Sequence, residues 1–151
     1  MTKIVVQGLD EDPTAEKVVL DKEAPEVTYI LCSDHLLEHI AKEAGYDEPN
    51  QAVLEKVAKK TNTKVVFKKC NVFDPKSVGE AMGQIIREIK PTDDVSINYS
   101  CGSATVKLVL GATAVGLSKY MNIRILYADA AALLDHSKAL KELFKLLYEF
   151  F

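Results

Sequence analysis

Val95-Ser-Ile-Asn98-Tyr-Ser100-Cys101-Gly102-Ser103-Ala104-Thr105-Val-Lys107 is the stretch that decides the fold: an apolar strand runs into a small polar turn, which opens an apolar helix. A helix N-terminus leaves backbone N–H groups unpaired and carries partial positive charge. Gly102 beside Ser103 lets a ligand approach that backbone without meeting a side chain, so Ser100 to Ser103 with Thr105 form a candidate anion site, and phosphate is the natural guest. The continuation, Leu108-Val-Leu-Gly111-Ala-Thr-Ala-Val-Gly116-Leu, is apolar on nearly every face. Such a helix is expected between the sheet and a second covering element, for which a partner subunit is one candidate.

Working outward, strands and helices alternate along the chain. Ile4–Val6, Thr28–Cys32, Lys64–Phe67, Val95–Asn98 and Ile123–Tyr127 are short aliphatic runs of the kind covered on both faces. Asp12-Pro13 and Asp74-Pro75 each place an acid before a proline at a helix start, Asp47-Glu-Pro49 opens a further helix, and Asp135-His-Ser begins a last one with Leu140, Leu143, Phe144, Leu147 and Phe151 on its stripe. This order predicts right-handed βαβ crossovers and an α/β fold with a doubly wound, mostly parallel sheet flanked by helices. One domain over residues 1–151 is expected, with 135–151 a C-terminal helix.

Composition narrows the function. At 48% hydrophobic and 27% charged residues the chain reads as an ordinary globular one, with no apolar run near the ~20 residues of a membrane span. Met1-Thr-Lys-Ile-Val-Val lacks the pattern of a signal peptide, which predicts a cytoplasmic protein. A net charge of −3 argues against general nucleic-acid binding. Lys56, Lys59, Lys60, Lys64, Lys68 and Lys69 read as a solvated face and a helix C-terminus. Three widely spaced cysteines suggest neither a disulfide framework nor a CxxC zinc site, and Cys32 and Cys70 read as small core residues.

In doubly wound sheets, ligands collect at the carboxyl ends of the strands, at the point where strand order reverses. Gln7-Gly8-Leu9-Asp10, Ser33-Asp34 and Ser100 to Ser103 are predicted to converge there, with Gly8 granting backbone approach. Asp12, Ser33 and Asp34 read first as helix caps. His35-Leu-Leu-Glu38-His39 matches an inverted zinc-protease pattern but lacks a third ligand, so it reads as a crossover helix with polar residues outward, and His136 as a surface residue. Cys101 could be activated by the helix N-terminus, yet no base is placed beside it, and a small residue lining the turn is the preferred reading. No metal site and no cofactor are expected.

Cys70-Asn-Val-Phe-Asp74-Pro, the run Asn98-Tyr-Ser100-Cys101-Gly102-Ser103 with its small-residue helix, and Ile125-Leu-Tyr127-Ala-Asp129 together resemble the CRISPR-associated Rossmann-fold (CARF) domain family over roughly residues 3 to 130. That family's fourth-strand signature is Asn or Asp, any residue, Ser or Thr, then a glycine-containing turn closed by Lys or Arg. Asn98, Ser100, Gly102 and Ser103 match it, whereas Ala104 stands where the basic residue is usual. Lys107 follows about one helical turn later and either reaches back toward the phosphates or lies on the surface. The resemblance implies a Rossmann-like homodimer that binds a cyclic oligoadenylate second messenger of type III CRISPR antiviral signalling across its two-fold axis. The turn and the loop after the first strand would be the main contacts, and a separate effector protein would receive the signal. It also implies two alternatives: a metal-independent ring nuclease, with Lys107 as its candidate catalytic residue, or the sensing part of a transcription regulator. An effector module is not expected within these 151 residues.

Overall fold

The computed structural model describes residues 1–150 and realises the predicted α/β fold, leaving Phe151 of the last helical stripe outside the described residues. In chain order the strands are β1 (Lys3–Gly8), β2 (Val27–Cys32), β3 (Lys64–Lys69), β4 (Asp94–Asn98), β5 (Ile123–Ala128) and β6 (Leu133–Asp135). Among the described residues they form one sheet in the order β3-β2-β1-β4-β5-β6, parallel except for the antiparallel β5–β6 pair. β6 was not foreseen. It is three residues long, and its pairing to the end of β5 comes from a tight return after Asp129 rather than from an apolar run of its own.

The α-helices are α1 (Thr14–Glu23), α2 (Asp34–Glu38), α3 (Asn50–Lys60), α4 (Pro75–Glu88), α5 (Ala104–Leu117) and α6 (Ser137–Tyr148). Strand order grows leftward from β1 through β2 and β3, then restarts on the other side with β4, so crossovers of one hand put α1 and α3 on one face and α4 and α5 on the other. The reversal lies between β1 and β4, paired through Val5↔Ser96 and Val6↔Ile97. Between sheet and helices lies the main core, including Ile4, Val6, Leu54, Met82, Ile85, Ile97, Leu110 and Ile125.

The caps explain the helix starts. Ser33 accepts from Leu36 N–H, Asp74 from Lys76 N–H with Pro75 at the first position, and Ser103 from Val106 N–H. Three starts fall later than expected: Pro13 rather than Asp12 is the cap position of α1, α3 begins after Pro49, and the C-terminal helix expected from residue 135 begins at Ser137, because Asp135 is the last residue of β6. Asp12 instead accepts from Thr14 N–H and Oγ–H. The lysines of β3 lie on the open edge strand, where charge discourages pairing with another chain; Lys69 pairs with Asp34, and Lys56 of α3 with Glu48. Cys32 is in the core, its thiol pushed up to about 12 by burial, but Cys70 is only half-buried.

Candidate functional site

The carboxyl ends of β1, β2 and β4 surround a cleft of about 530 Å³ at the reversal point. Of the residues expected there, Leu9, Asp10, Ser33, Gly102 and Ser103 line it. The others take different places. Gln7, Gly8, Asn98 and Cys101 are buried behind the cleft wall, Ser100 bonds inward, Thr105 is half-buried in the first turn of α5, and Lys107 is exposed on that helix outside the lining.

The buried set is a scaffold for the turn. Asn98 Nδ2 donates to Gln7 Oε1 at 3.0 Å and to Cys101 Sγ at 3.3 Å, while its Oδ1 accepts from Ser100 N–H and Oγ–H. Ala128 N–H donates to Ser100 Oγ, tying β5 to the same knot. Asn98 and Ser100 of the family-like signature thus shape the turn from inside. Gly8 has a role other than ligand approach: a Cβ there would fall on the carbonyl oxygen of Cys101 and lie 2.7 Å from Val106 Cγ1. Its missing side chain lets β1 touch the turn. Gly102 has φ +110, a backbone conformation that L side chains rarely adopt, and its Cβ would meet Val106 Cγ1 at 2.7 Å.

The anion-site expectation meets a competitor. Gly102 N–H already donates to Asp10 Oδ1 at 2.8 Å, so the chain's own carboxylate occupies part of the turn. Ser103 Oγ is also engaged, donating to Val72 C=O and capping Val106 N–H. The N–H groups of Ala104 and Thr105, in the first turn of α5, have no intrahelical acceptor and remain for an incoming anion.

Residues not anticipated for the site complete the cleft: Glu11, His35, Leu36, Asn71, Val72 and Phe73. Phe73, on the loop between β3 and α4, is 79% exposed, a large apolar ring presented to the cleft from Asn71-Val72-Phe73. Sequence offered one signal, an aromatic inside a polar turn before a proline-started helix.

For Cys101 and for the His35–His39 segment the alternatives set aside stay set aside, and for His136 the surface expectation needs correction. Cys101 is a fully buried small residue of the turn, and desolvation with the nearby Glu16 and Asp10 carboxyls pushes its thiol far up, in line with the preference for a structural residue over an activated nucleophile. The His35–His39 segment is the expected helix with Leu36 and Leu37 buried and His35 and Glu38 exposed, except that α2 stops at Glu38 and His39 is already extended; the two imidazole centroids are 6.1 Å apart. His136 is half-buried: its Nδ1 is 2.7 Å from Tyr99 Oη and its ring stacks on Tyr127. Against the expectation of no ligand set, Asp10, Glu16 and Cys101 each bring an oxygen or sulfur within 4.8 Å of the others.

No family model matches the chain, and no curated protein does. Solved structures do resemble it. Enterococcus italicus Csm6 bound to cyclic hexa-2'-fluoro-hexa-dAMP superposes with a TM-score of 0.65 at 15% identity over 86% of this chain and 34% of that one. Can2 from Sulfobacillus thermosulfidooxidans in complex with cyclic tetra-adenylate gives 0.63 at 11% identity, covering 89% of this chain and 35% of that one. Protein VC1899 from Vibrio cholerae gives 0.60 at 16% over 89% and 33%. The chain spans about a third of the length of each. At these identities the likeness is one of fold: the chain shares the Rossmann-like α/β fold found in these three proteins.

Proposed function

We propose that the cleft binds a cyclic oligoadenylate and that the chain works as the sensor of that messenger, as a two-fold dimer. The observation that carries this reading is the cleft's composition at the β1/β4 reversal: free N–H groups at the start of α5 beside a patch made of Leu9, Leu36, Val72 and Phe73. A nucleotide needs both parts. Phosphate oxygens suit the helix start, and a purine ring suits an exposed aromatic with aliphatic walls. Csm6 and Can2, which share the fold, are proteins with cyclic adenylate ligands bound.

The dimer reading draws on α5. Val106, Leu110 and Ala114 face the core, whereas Leu108 is 74% exposed and Ala112 and Gly116 are open, an apolar outer face. A cyclic ligand with internal symmetry matches an isologous interface. Cleavage is the second reading, supported only by Lys107 on the exposed side of the first turns of α5. Titration calorimetry with cyclic tetra- and hexa-adenylate, followed by chromatography of the recovered ligand, tests both readings. Saturable binding of intact ligand supports the sensor, 2′,3′-cyclic phosphate products support the nuclease, and no heat with either ring refutes both.

A further inference from the structure

Behind the cleft lies a buried knot of acids that no cation balances. Glu16, on the first turn of α1, is fully buried, and its Oε2 accepts from Asp10 N–H at 3.0 Å. Its other oxygen, Oε1, is buried with no hydrogen-bond partner. Asp10, next to it, lines the cleft, and Cys101 closes the group from the β4–α5 turn. Among the described residues no lysine, arginine or histidine forms an ion pair with any of the three. Two carboxyls and a thiol crowded together repel one another as anions, and Glu16, fully buried, is held well above the usual carboxylate range by burial first and by Asp10 second.

We propose that Asp10, Glu16 and Cys101 form a site for a divalent transition metal of zinc-like softness, bound by one sulfur and two carboxylate oxygens with the remaining position toward the cleft. The donors come from three segments, the β1–α1 loop, α1 and the β4–α5 turn, so the ion would fasten both halves of the sheet at its reversal point. Each ligand already carries the supporting bond that metal ligands use. Asp10 Oδ1 is held by Gly102 N–H, Glu16 Oε2 by Asp10 N–H, and Cys101 Sγ by Asn98 Nδ2, with Asn98 itself fixed by Gln7 and Ser100. That pattern leaves Glu16 Oε1 as the buried atom of the group with no hydrogen-bond partner.

Donor type selects the ion. One thiolate with two carboxylates suits Zn²⁺ or Co²⁺ better than Mg²⁺ or Ca²⁺, which take oxygen ligands alone. Bonds of about 2.0–2.3 Å would draw donors now within 4.8 Å of one another to about 4 Å or less, a movement of roughly 1 Å open to side-chain rotation. Binding forms the metal–sulfur and metal–oxygen bonds and releases the Cys101 thiol proton, and that of Glu16, to solvent. The partly exposed Asp10 gives the route in from the cleft.

The site shares Asp10 with the cleft, so its test uses metal alone, with no nucleotide present. The purified full chain is incubated with Zn²⁺, desalted and assayed by atomic emission, and in parallel titrated with Co²⁺ while the thiolate-to-cobalt absorption is followed. One ion per chain, a cobalt–thiolate band in the unaltered protein, loss of that band in Cys101→Ser and a Zn²⁺ affinity lowered at least about tenfold in Glu16→Gln are expected. The cobalt band on the unaltered chain does not depend on any variant folding. No retained metal and no band would overturn the proposal and leave the group balanced by protons. Retention that survives both variants but is lost in His35→Ala would overturn it equally, placing the ion on the surface histidine.

Discussion

Gly102 N–H and the carboxylate of Asp10 meet at 2.8 Å across 92 residues of sequence, joining the loop after β1 to the turn after β4. The bond holds the two loops of the cleft together and, in the complex proposed above, occupies a donor that a phosphate oxygen would use. An incoming anion therefore faces a like charge and a donor already in use.

Asp10→Asn keeps an acceptor for Gly102 N–H but removes the charge. On chelator-treated protein, binding of cyclic tetra- or hexa-adenylate is expected to tighten by roughly tenfold, about 1.4 kcal/mol, as the repulsion is lifted. Calorimetry on the variant and the unaltered chain decides this. Weakened binding would make the carboxylate a direct ligand contact instead.

Substitution at the glycines of the knot is a matter of stability before binding. With φ at +110 and Val106 Cγ1 2.7 Å from the site of a Cβ, Gly102→Val strains the backbone and crowds a buried side chain. A loss of about 2–4 kcal/mol in urea denaturation is expected. Gly8→Ala is expected to be as damaging although its φ is ordinary, because the obstacle is the backbone carbonyl of Cys101. A Gly102→Val protein as stable as the unaltered chain would show that the turn refits freely.

Phe73 gives the opposite pattern. At 79% exposed it contributes little to the core, so Phe73→Ala should change stability by less than about 0.5 kcal/mol. If the ring stacks on a base, the same change weakens ligand binding by about 1–3 kcal/mol. Parallel thermal melts and titrations read both, and unaltered affinity would remove the ring from the base site.

The fold was legible because its strands are aliphatic runs broken by acid-proline helix starts, and periodicity reports burial directly. Gly102 was legible for a similar reason: a glycine at a strand-to-helix turn signals backbone geometry. What stayed hidden depends on tertiary placement. Glu16 reads as one more charged residue on a helix of mixed pattern, and only the tertiary fold, which brings α1 against β1 and the turn after β4 beside it, buries it next to Cys101. β6 is too short to carry a period, and His136 became part of an aromatic cluster only because β6 delivers it beside Tyr127 of β5 and Tyr99 at the end of β4.

Asp135 supplies a pH dependence at the start of α6. Its Oδ1 accepts from Ser137 Oγ–H and N–H, and the serine hydroxyl first of all holds the carboxyl below its ordinary value of 3.8. A depressed folded-state pKa contributes stability that is fully present above the unfolded value and is lost as pH falls through the folded one. The anchoring of α6 to β5, where Ser137 Oγ also accepts from Ile125 N–H, should therefore weaken only below about pH 4. Hydrogen exchange at Ile125 and in the first turn of α6 is expected to speed up over that range and to lose this pH dependence in Asp135→Asn. An unchanged profile in the variant would assign the acid sensitivity to another carboxylate.

Lys107 decides between binding and cleavage. Its side chain is exposed and lies outside the cleft lining, one turn beyond Ala104, where the family-like signature usually closes with a basic residue. From that place it can meet a phosphate only by extending back along α5 toward the N–H groups of Ala104 and Thr105, a reach its four-carbon stem allows. For a nuclease that orients a ribose 2′-OH against the adjacent phosphate, loss of this charge should cut the cleavage rate by about tenfold or more while affinity changes little. For a sensor there is no turnover to lose, and Lys107→Ala should leave both affinity and melting temperature unaltered. Single-turnover assays with labelled cyclic tetra-adenylate, run beside calorimetry on the same preparations, separate the cases: a rate loss with retained binding makes Lys107 catalytic, and equal rates in both proteins assign it to the surface.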